Sequence, residues 1–243
     1  GAYGNDDDGL TSGSAYIYEY DPSSDTWLET KLTASDAVFN DQFGISVSIS
    51  GSTALVGAWR DDDKGSAYIY EYDPSVDTWQ ETKLTASDAS TDQLFGTPLV
   101  INGETIVVGS FAEGHAGSYS GSTYVFGDNK VIWSEKIKLT ANDAEANDWF
   151  GWAVAMSGDR VLVGALNNDD AGANSGSLYV YDLASDIPEG NCVSTTPIEP
   201  RTGRSPVTVT FSGVLVEGTT SVTTTPSSSI PPPAGYEELD PSV

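Results

Sequence analysis

The sequence predicts an all-β fold, a β-propeller built of four-stranded antiparallel blades, and three observations support this. Short markers recur along the chain at spacings of 52 to 56 residues, which is typical of a repeat architecture. Each repeat contains four strand-like segments that are separated by turn-forming residues. No segment has the periodicity of a helix. Four antiparallel strands in each repeat form one propeller blade, and the chain holds about three and a half blades.

Four markers define the repeat and keep the same order in every unit. A Phe-Gly pair opens the unit at Phe43, Phe95 and Phe150. An apolar run ends in glycine and a small residue at Gly57, Gly109 and Gly164, and Gly1-Ala2-Tyr3 is the end of an earlier copy. Gly-Ser-x-Tyr begins at Gly13, Gly65, Gly121 and Gly176. Lys-Leu-Thr-Ala begins at Lys31, Lys83 and Lys138.

The first two strands of a unit are predicted to form a hairpin. The segment from Ile45 to Ile49 alternates apolar residues with serine, as a strand with two different faces does. Ser50-Gly51-Ser52 then supplies a tight turn. The second strand, from Ala54 to Trp59, is almost continuously apolar, which suits a strand that is covered on both faces.

The third and fourth strands are predicted to form a second hairpin. The third strand is rich in tyrosine and β-branched residues, as from Ala15 to Tyr20. Asp21-Pro22-Ser23-Ser24-Asp25 forms the next turn, since proline fixes φ and aspartate accepts backbone hydrogen bonds. The fourth strand, from Thr26 to Thr33, alternates polar and apolar residues as an outer strand does. The tryptophans Trp27, Trp79 and Trp133 share one position in this strand, which predicts packing between blades.

The Phe-Gly and Gly-Ala markers resemble the FG-GAP repeat, which forms the blades of integrin α-subunit propellers. The resemblance covers residues 1–183, and the sequence predicts a partial ring of such blades over residues 1–190. The segment Tyr-Asp-Pro-x-x-Asp-x-Trp is also similar to kelch repeats. However, the kelch Gly-Gly doublet is missing where Gly57-Ala58 and Gly164-Ala165 stand. Both families are propellers, so the predicted architecture is the same for either.

Residues 191–243 have a different composition, with 26 Ser, Thr and Pro among 53 residues. Such a segment cannot fill a core and favours extended backbone. A short strand near residues 207–216 is predicted from the alternation at Val207 to Phe211. A Ser/Thr/Pro-rich tail is typical of an O-glycosylated stalk, and this predicts modification of Thr223, Thr224 and Thr225. The sequence therefore indicates a secreted or cell-surface protein.

The charge of the chain excludes several functions. The formal net charge is −26, from 36 Asp and Glu against 10 Lys and Arg. Such a chain repels phosphate backbones and anionic lipid, so neither nucleic-acid binding nor membrane insertion is expected. A single cysteine, Cys192, excludes a disulfide framework within the chain. A single histidine, His115, is predicted to be a surface loop residue and disfavours acid–base or zinc chemistry.

The strand order predicts that the carboxylates concentrate on one face of the propeller. The loop between strands 2 and 3 and the loop between successive blades emerge on the same face of an up-and-down blade. These loops hold 16 of the 36 acidic residues: Asp6–Asp8, Asp61–Asp63, Glu113, Asp169, Asp170, Asp36, Asp41, Asp88, Asp92, Asp143, Glu145 and Asp148. One interpretation is a solvated surface with aspartates capping turns.

The other interpretation of these acids is Ca²⁺ coordination, which requires several hard oxygen ligands. The candidate ligands are Asp6 and Asp8, Asp61 and Asp63, and Asn168 and Asp170. Integrin-like blades bind Ca²⁺ through an Asp-x-Asp-x-Asp-Gly loop between strands 1 and 2. Here that loop is a tight turn, so any calcium site is a different one.

The sequence favours a non-catalytic extracellular adhesion or structural module. Its expected partners are other proteins, glycans or further copies of the chain in an oligomer or filament. No motif positions a nucleophile or an acid beside His115, so no catalytic residue is expected. Two alternatives stay open, a glycan-processing enzyme that uses carboxylates alone and a propeller that holds a small ligand. A buried acid with a raised pKa on the loop face favours the enzyme.

Overall fold

The computed structural model describes residues 1–183, which contain thirteen β-strands in four antiparallel sheets. The first sheet contains β1 (Ala15–Asp21) and β2 (Thr26–Leu32), and the second contains β3 (Ser46–Ser50), β4 (Thr53–Ala58), β5 (Ser66–Asp73) and β6 (Thr78–Leu84). The third contains β7 (Leu99–Asn102), β8 (Thr105–Ser110), β9 (Ser122–Asp128) and β10 (Trp133–Leu139). The fourth contains β11 (Phe150–Ser157), β12 (Arg160–Ala165) and β13 (Ser177–Asp182).

The predicted blade architecture is confirmed. Strands that follow one another along the chain are neighbours in each sheet, and every pair is antiparallel. A bridge between Ala2 and Ser14 adds the end of a further strand to the first sheet. The helical content of residues 1–183 is one 3₁₀ turn at Asp61–Asp63. That range contains no helix long and apolar enough to cross a membrane.

Several sequence predictions fall outside the described residues. These are the end of the repeat domain at residues 184–190, the Ser/Thr/Pro-rich tail with its short strand near 207–216, Cys192, and the modification of Thr223, Thr224 and Thr225.

The hydrophobic core is divided into three clusters, one between each pair of successive sheets. The central strand β4 contributes to two of them, because alternate side chains of a strand point to opposite faces. Leu55 packs in the cluster with the third sheet, whereas Val56 packs in the cluster with the first. Burial on both faces explains why this strand is apolar throughout.

The Phe-Gly marker joins one sheet to the next. Phe95 is fully buried and its ring packs edge-on against Tyr124, with the centroids 5.5 Å apart. The Phe95 amide donates a hydrogen bond of 3.1 Å to the Lys64 carbonyl of the preceding sheet. Gly96 has φ +109°, and a Cβ there would lie 2.3 Å from the Ser66 carbonyl oxygen. The repeat therefore needs glycine here because two backbones approach too closely for any side chain.

The predicted packing of the three tryptophans is correct for two of them. Trp133 is buried between the second and third sheets, and Trp79 packs partly against the cluster between the first and second. The prediction is wrong for Trp27, which is 66% exposed and rests on Tyr20. The reason is that no sheet within residues 1–183 packs against this face of the first sheet.

Candidate functional site

The loops between strands 2 and 3 and the loops between blades lie together, as predicted. The Asp92 amide donates a hydrogen bond of 2.7 Å to the Asp63 carbonyl, which joins two such loops. The Asn147 amide makes the equivalent bond to Ser118 at 2.9 Å. We call the surface formed by these loops, residues 3–13, 34–43, 59–65, 86–95, 111–121, 141–149 and 166–176, the loop face. Backbone bonds between loops hold this face in one shape.

Lys83 forms the centre of an ion-pair network at the junction of the first and second sheets. Its Nζ lies 2.7 Å from Asp36 Oδ2 and 2.6 Å from Asp61 Oδ2. The Tyr68 hydroxyl donates a hydrogen bond of 2.8 Å to the other oxygen of Asp36. Burial opposes the charge on Lys83, but the two carboxylates outweigh it and raise the pKa of the ammonium group. The network thus joins β6, the loop before β3 and the loop before β5 through charged side chains.

The junction of the second and third sheets repeats this network with one change. Lys138 Nζ lies 2.6 Å from Asp88 Oδ2, and Tyr124 donates to Oδ1 of the same carboxylate at 2.7 Å. Glu113 takes the place of Asp61, 3.3 Å from the ammonium nitrogen. Burial works against ionisation of Glu113, but hydrogen bonds from Ser122 and His115 hold its pKa below the usual value.

The third junction keeps the tyrosine and one acid of this network without a lysine among residues 1–183. Tyr179 donates a hydrogen bond of 2.7 Å to Asp143, which corresponds to Asp36. Asn168 stands where the other sheets have Asp61 and Glu113, and it accepts a hydrogen bond from Ser177 at 2.7 Å. The neighbouring Asp143 raises the pKa of Asp170. Within residues 1–183 no lysine approaches this pair.

Asp41 is a buried acid with a raised pKa. Its side chain is 3% exposed, and burial raises its pKa to about 6, with the charges of Asp61 and Asp36 adding to the effect. The carboxylate accepts a hydrogen bond of 2.7 Å from the Val38 amide. Asp148 makes the same bond to the Glu145 amide in the fourth sheet's entry loop. The geometry is thus that of a repeated loop brace, although the pKa is one that acid–base chemistry could use.

The predicted calcium ligands do not form one type of environment. Asp6, Asp8, Asp63 and Asp170 are exposed, whereas Asp61 and Asn168 are buried and bonded to neighbouring side chains. Among the described residues no group of three or more His, Cys, Asp or Glu is arranged to hold a metal ion.

The calcium loop of integrin-like blades does not fit this chain either. The turns between the first two strands of each blade end after two residues, as between Ser50 and Thr53. Calcium binding at the Asp6, Asp61 and Asn168 loops stays a prediction.

His115 lies on the loop face, as predicted for a surface loop residue, but its contacts there were not predicted. Its Nδ1 lies 2.9 Å from Glu113 Oε2, with the Ser120 and Ser122 hydroxyls 3.3 and 3.5 Å away. The acid and both hydroxyls contact the same ring nitrogen. A catalytic triad requires them on opposite nitrogens, so the arrangement is not one.

A cluster of aromatic side chains was not predicted from the sequence. It consists of Trp59, Phe111, Tyr119 and Trp149 of the loop face and of Trp152 in β11, with neighbouring ring centroids 4.8 to 6.4 Å apart. The sequence did contain a signal for this cluster, because two of its tryptophans stand where the other units have different residues. Trp149 precedes the Phe-Gly pair where the other units have Gln42 and Leu94, and Trp152 follows it where they have Ile45 and Thr97.

Three stretches of the chain, residues 27–70, 79–126 and 133–181, match the family model described as the FG-GAP repeat. Each match begins at the tryptophan of one fourth strand and ends in the third strand of the next sheet. Together the three stretches cover more than half of the chain. No curated protein matches the chain.

Proposed function

Because the chain belongs to the FG-GAP repeat family, we propose that it is a non-catalytic extracellular module that contacts other proteins or glycans through its loop face. Propellers of this repeat are typically non-catalytic and occur often in extracellular or adhesion proteins. The proposed location outside the cell also agrees with the Ser/Thr/Pro-rich composition of residues 191–243.

The contrast between the two ends of the blades supports this proposal. The loop face carries long loops with many acids, whereas the opposite end has short hairpin turns such as Ser50–Thr53. The loops are braced by bonds from one loop to the next and by the Lys83 and Lys138 networks. A rigid surface loses little conformational entropy on binding, which favours a recognition role.

The proposal is tested by neutralising acids on one end at a time in the 243-residue chain. One variant changes four exposed acids of the loop face to amides, and its matched control changes four exposed acids of the hairpin turns. The two sets are Asp6, Asp8, Asp62 and Asp63, and Asp25, Asp77, Glu104 and Asp159. Both are applied to arrays of extracellular matrix proteins and of glycans.

We expect binding to be weakened by the loop-face variant and retained by the control. Equal binding by both variants, or loss in the control alone, would contradict a recognition role for the loop face.

A carboxylate enzyme is the second candidate, and the raised pKa of Asp41 is the observation that favours it. The corresponding residue of the third sheet's entry loop is Gln93, which cannot transfer a proton. Asp41→Asn in the full chain should therefore change no activity. Release of reducing sugar from polysaccharides by the wild type that Asp41→Asn abolishes would instead establish the enzyme.

A further inference from the structure

An open cavity of about 320 Å³ lies on the loop face between the second and third sheets. Its walls come from the loop between β6 and β7, at residues 90–93, and from the loop between β8 and β9, at residues 112–114 and 118–119. The volume is at the lower end of the range of small-molecule sites. Serine, threonine, glutamine and carboxylate groups line most of it, and one aromatic ring, Tyr119, closes a side.

The side chain of Gln93 lines this cavity and places an amide where two other units have a carboxylate. Gln93 is 7% exposed, and its Oε1 accepts a hydrogen bond of 2.8 Å from the Ser90 amide. Asp41 and Asp148 make the same brace in the other units, so the amide is the departure at this junction. Gln93 lines the cavity, and with Oε1 bonded to Ser90 its amide nitrogen is the group left to donate to a ligand. The ionised carboxylates of Asp41 and Asp148 can only accept hydrogen bonds, so the amide adds a donor that those units lack.

The charge of the cavity favours a neutral ligand. Glu113 is the buried acid in its wall, and its carboxylate already contacts His115 at 2.9 Å and Lys138 at 3.3 Å. The remaining lining side chains, apart from Asp92, are neutral hydrogen-bonding groups or Tyr119. Lys138 balances Glu113, which leaves the Asp92 carboxylate as the charge of the cavity, and the hydrogen-bonding groups in the rest of the lining suit a neutral ligand.

Tyr119 supplies an aromatic wall at a position where the other units have small polar residues. Its φ is +59°, a region that is unfavourable for a bulky side chain, and the equivalent residues are Thr11, Asp63 and Asn174. The ring is 43% exposed. All four equivalent residues have a positive φ, from +51° to +59°, so the backbone belongs to the repeat and the bulky aromatic ring is what sets this unit apart.

The aromatic surface continues from Tyr119 out of the cavity. The Trp149 ring lies 6.3 Å from Tyr119 and 5.2 Å from Trp152, which is 42% exposed. A ligand with one ring in the cavity can therefore place a second ring against the side chain of Trp152. The C–H bonds on one face of a sugar carry slight positive charge, which the negative face of an aromatic ring attracts.

We propose that the cavity and the adjoining aromatic rings bind a neutral glycan. One sugar unit occupies the cavity, where its hydroxyls accept from Gln93 Nε2 and donate to Asp92 and Glu113, and the next unit stacks on Trp152. This inference rests on the proposed recognition role of the loop face and names its ligand class.

The test uses Gln93→Asp and Tyr119→Asn in the 243-residue chain. Each substitution restores a residue type that other units already carry at that position, so folding is expected to survive, and thermal unfolding followed by circular dichroism checks this. Tyr3→Asn is the control, because Tyr3 is an exposed aromatic residue of the loop face in the first sheet. The probes are neutral hexasaccharides of glucose, mannose, galactose and N-acetylglucosamine, with tryptophan fluorescence as the readout.

We expect at least one probe to bind the wild type and the Tyr3→Asn control alike. Gln93→Asp and Tyr119→Asn should each weaken that binding about tenfold or more, which corresponds to losing one well-placed contact. Trp152→Ala should weaken the binding of that hexasaccharide and leave unchanged the binding of the matching monosaccharide, which serves as a further probe.

Two results would overturn the inference. One is that no hexasaccharide binds, or that Gln93→Asp and Tyr119→Asn bind as tightly as the wild type. The other is that a lysine-rich peptide binds in a Tyr119-dependent way while every glycan fails, which would make the ligand cationic. Binding of matrix proteins that survives either result would leave the proposed function intact.

Discussion

At the scale of single residues, Lys83 and Lys138 form ion pairs that join neighbouring sheets. Lys83 is the cation that faces Asp61, a carboxylate with 2% exposure, and it also reaches Asp36 in the loop before its own sheet. Removing one partner of a buried ion pair leaves the other charge desolvated without compensation. The lysine of the Lys-Leu-Thr-Ala marker is therefore a structural residue in this chain.

Lys83→Met should lower the free energy of unfolding by roughly 2 kcal/mol, less than for a fully buried pair because Lys83 is partly exposed. Lys130→Met is the matched control, since Lys130 lies 3.9 Å from Glu104 with both side chains largely in water. We expect a change within about 0.5 kcal/mol for the control. Urea unfolding measures the free energy of unfolding of both variants. An equal loss in the two would show that the Lys83 network does not stabilise the fold.

Asp41 should make the stability of the protein depend on pH. The ordinary pKa of the group is 3.8 and its pKa in the folded protein is about 6. Between these values the folded chain keeps a proton that the unfolded chain has released, so the free energy of unfolding falls as the pH rises. Asp41→Asn keeps a neutral acceptor for the Val38 amide and removes this fall.

The Asn variant should exceed the wild type by roughly 1 to 2 kcal/mol above about pH 6 and match it below about pH 4. Urea unfolding at a series of pH values measures the difference. Asp63→Asn, which replaces an exposed acid of the loop face by the same amide, serves as the control. A difference that is constant across the pH range would contradict the shifted pKa.

The sequence indicated these residues without indicating their partners. Asp61 was a predicted calcium ligand because it stands in a run of three aspartates. Its actual neighbour, Lys83, is 22 residues away and reaches it because β5 and β6 are paired side by side. Gln93 could not be identified as a candidate site residue from the sequence, because the cavity that it lines is formed by two separate loops.

At the scale of elements, the strands were predictable because their pattern is local. Alternation and turn residues place β2 within a residue of its predicted ends, Thr26 and Thr33. The Phe-Gly pair could be recognised in the sequence as a repeat marker. The reason why glycine is needed there became clear only from the structure. Gly96 approaches the Ser66 carbonyl of the preceding sheet, and that contact crosses 30 residues of sequence.

Gly96→Ala should therefore be severely destabilising, by about 3 kcal/mol or more, because the Cβ would lie 2.3 Å from a backbone oxygen at φ +109°. Gly51→Ala is the matched control. Gly51 also has a positive φ, +58°, but a Cβ there has no atom within 4 Å. We expect about 1 kcal/mol for the control from the backbone conformation alone. Thermal unfolding distinguishes the two, and similar losses would show that φ rather than close approach selects glycine at this turn.

At the scale of the whole molecule, the described residues form an arc of sheets with an uncovered face at each end. Tyr18 is 56% exposed in the first sheet, whereas its counterpart Tyr70 in the second is 4% exposed. Leu178 in the fourth sheet is 52% exposed, whereas its counterpart Ala67 in the second is fully buried. Large uncovered apolar faces mark interaction sites in water-soluble proteins.

The two uncovered faces correspond to the two sides of an internal junction. Where the first and second sheets meet, Tyr70 and Val56 pack on Ala15 and Ile17. The first sheet's Tyr18 face can accept the fourth sheet's Leu178 face of a second copy in the same way. Two copies joined head to tail at both ends would hold eight sheets, which is within the range of closed propellers.

We therefore expect the 243-residue chain to form dimers at micromolar concentration, measured by sedimentation equilibrium. Tyr18→Ser combined with Trp27→Ser should give monomers, because the aromatic rings of that face supply the buried area. The control combines Val76→Ser with Val131→Ser, two exposed apolar residues of the hairpin turns, and should stay dimeric. A wild type that is monomeric at every concentration, or a Tyr18 and Trp27 variant that dimerises like the control, would show that a second copy does not cover this face.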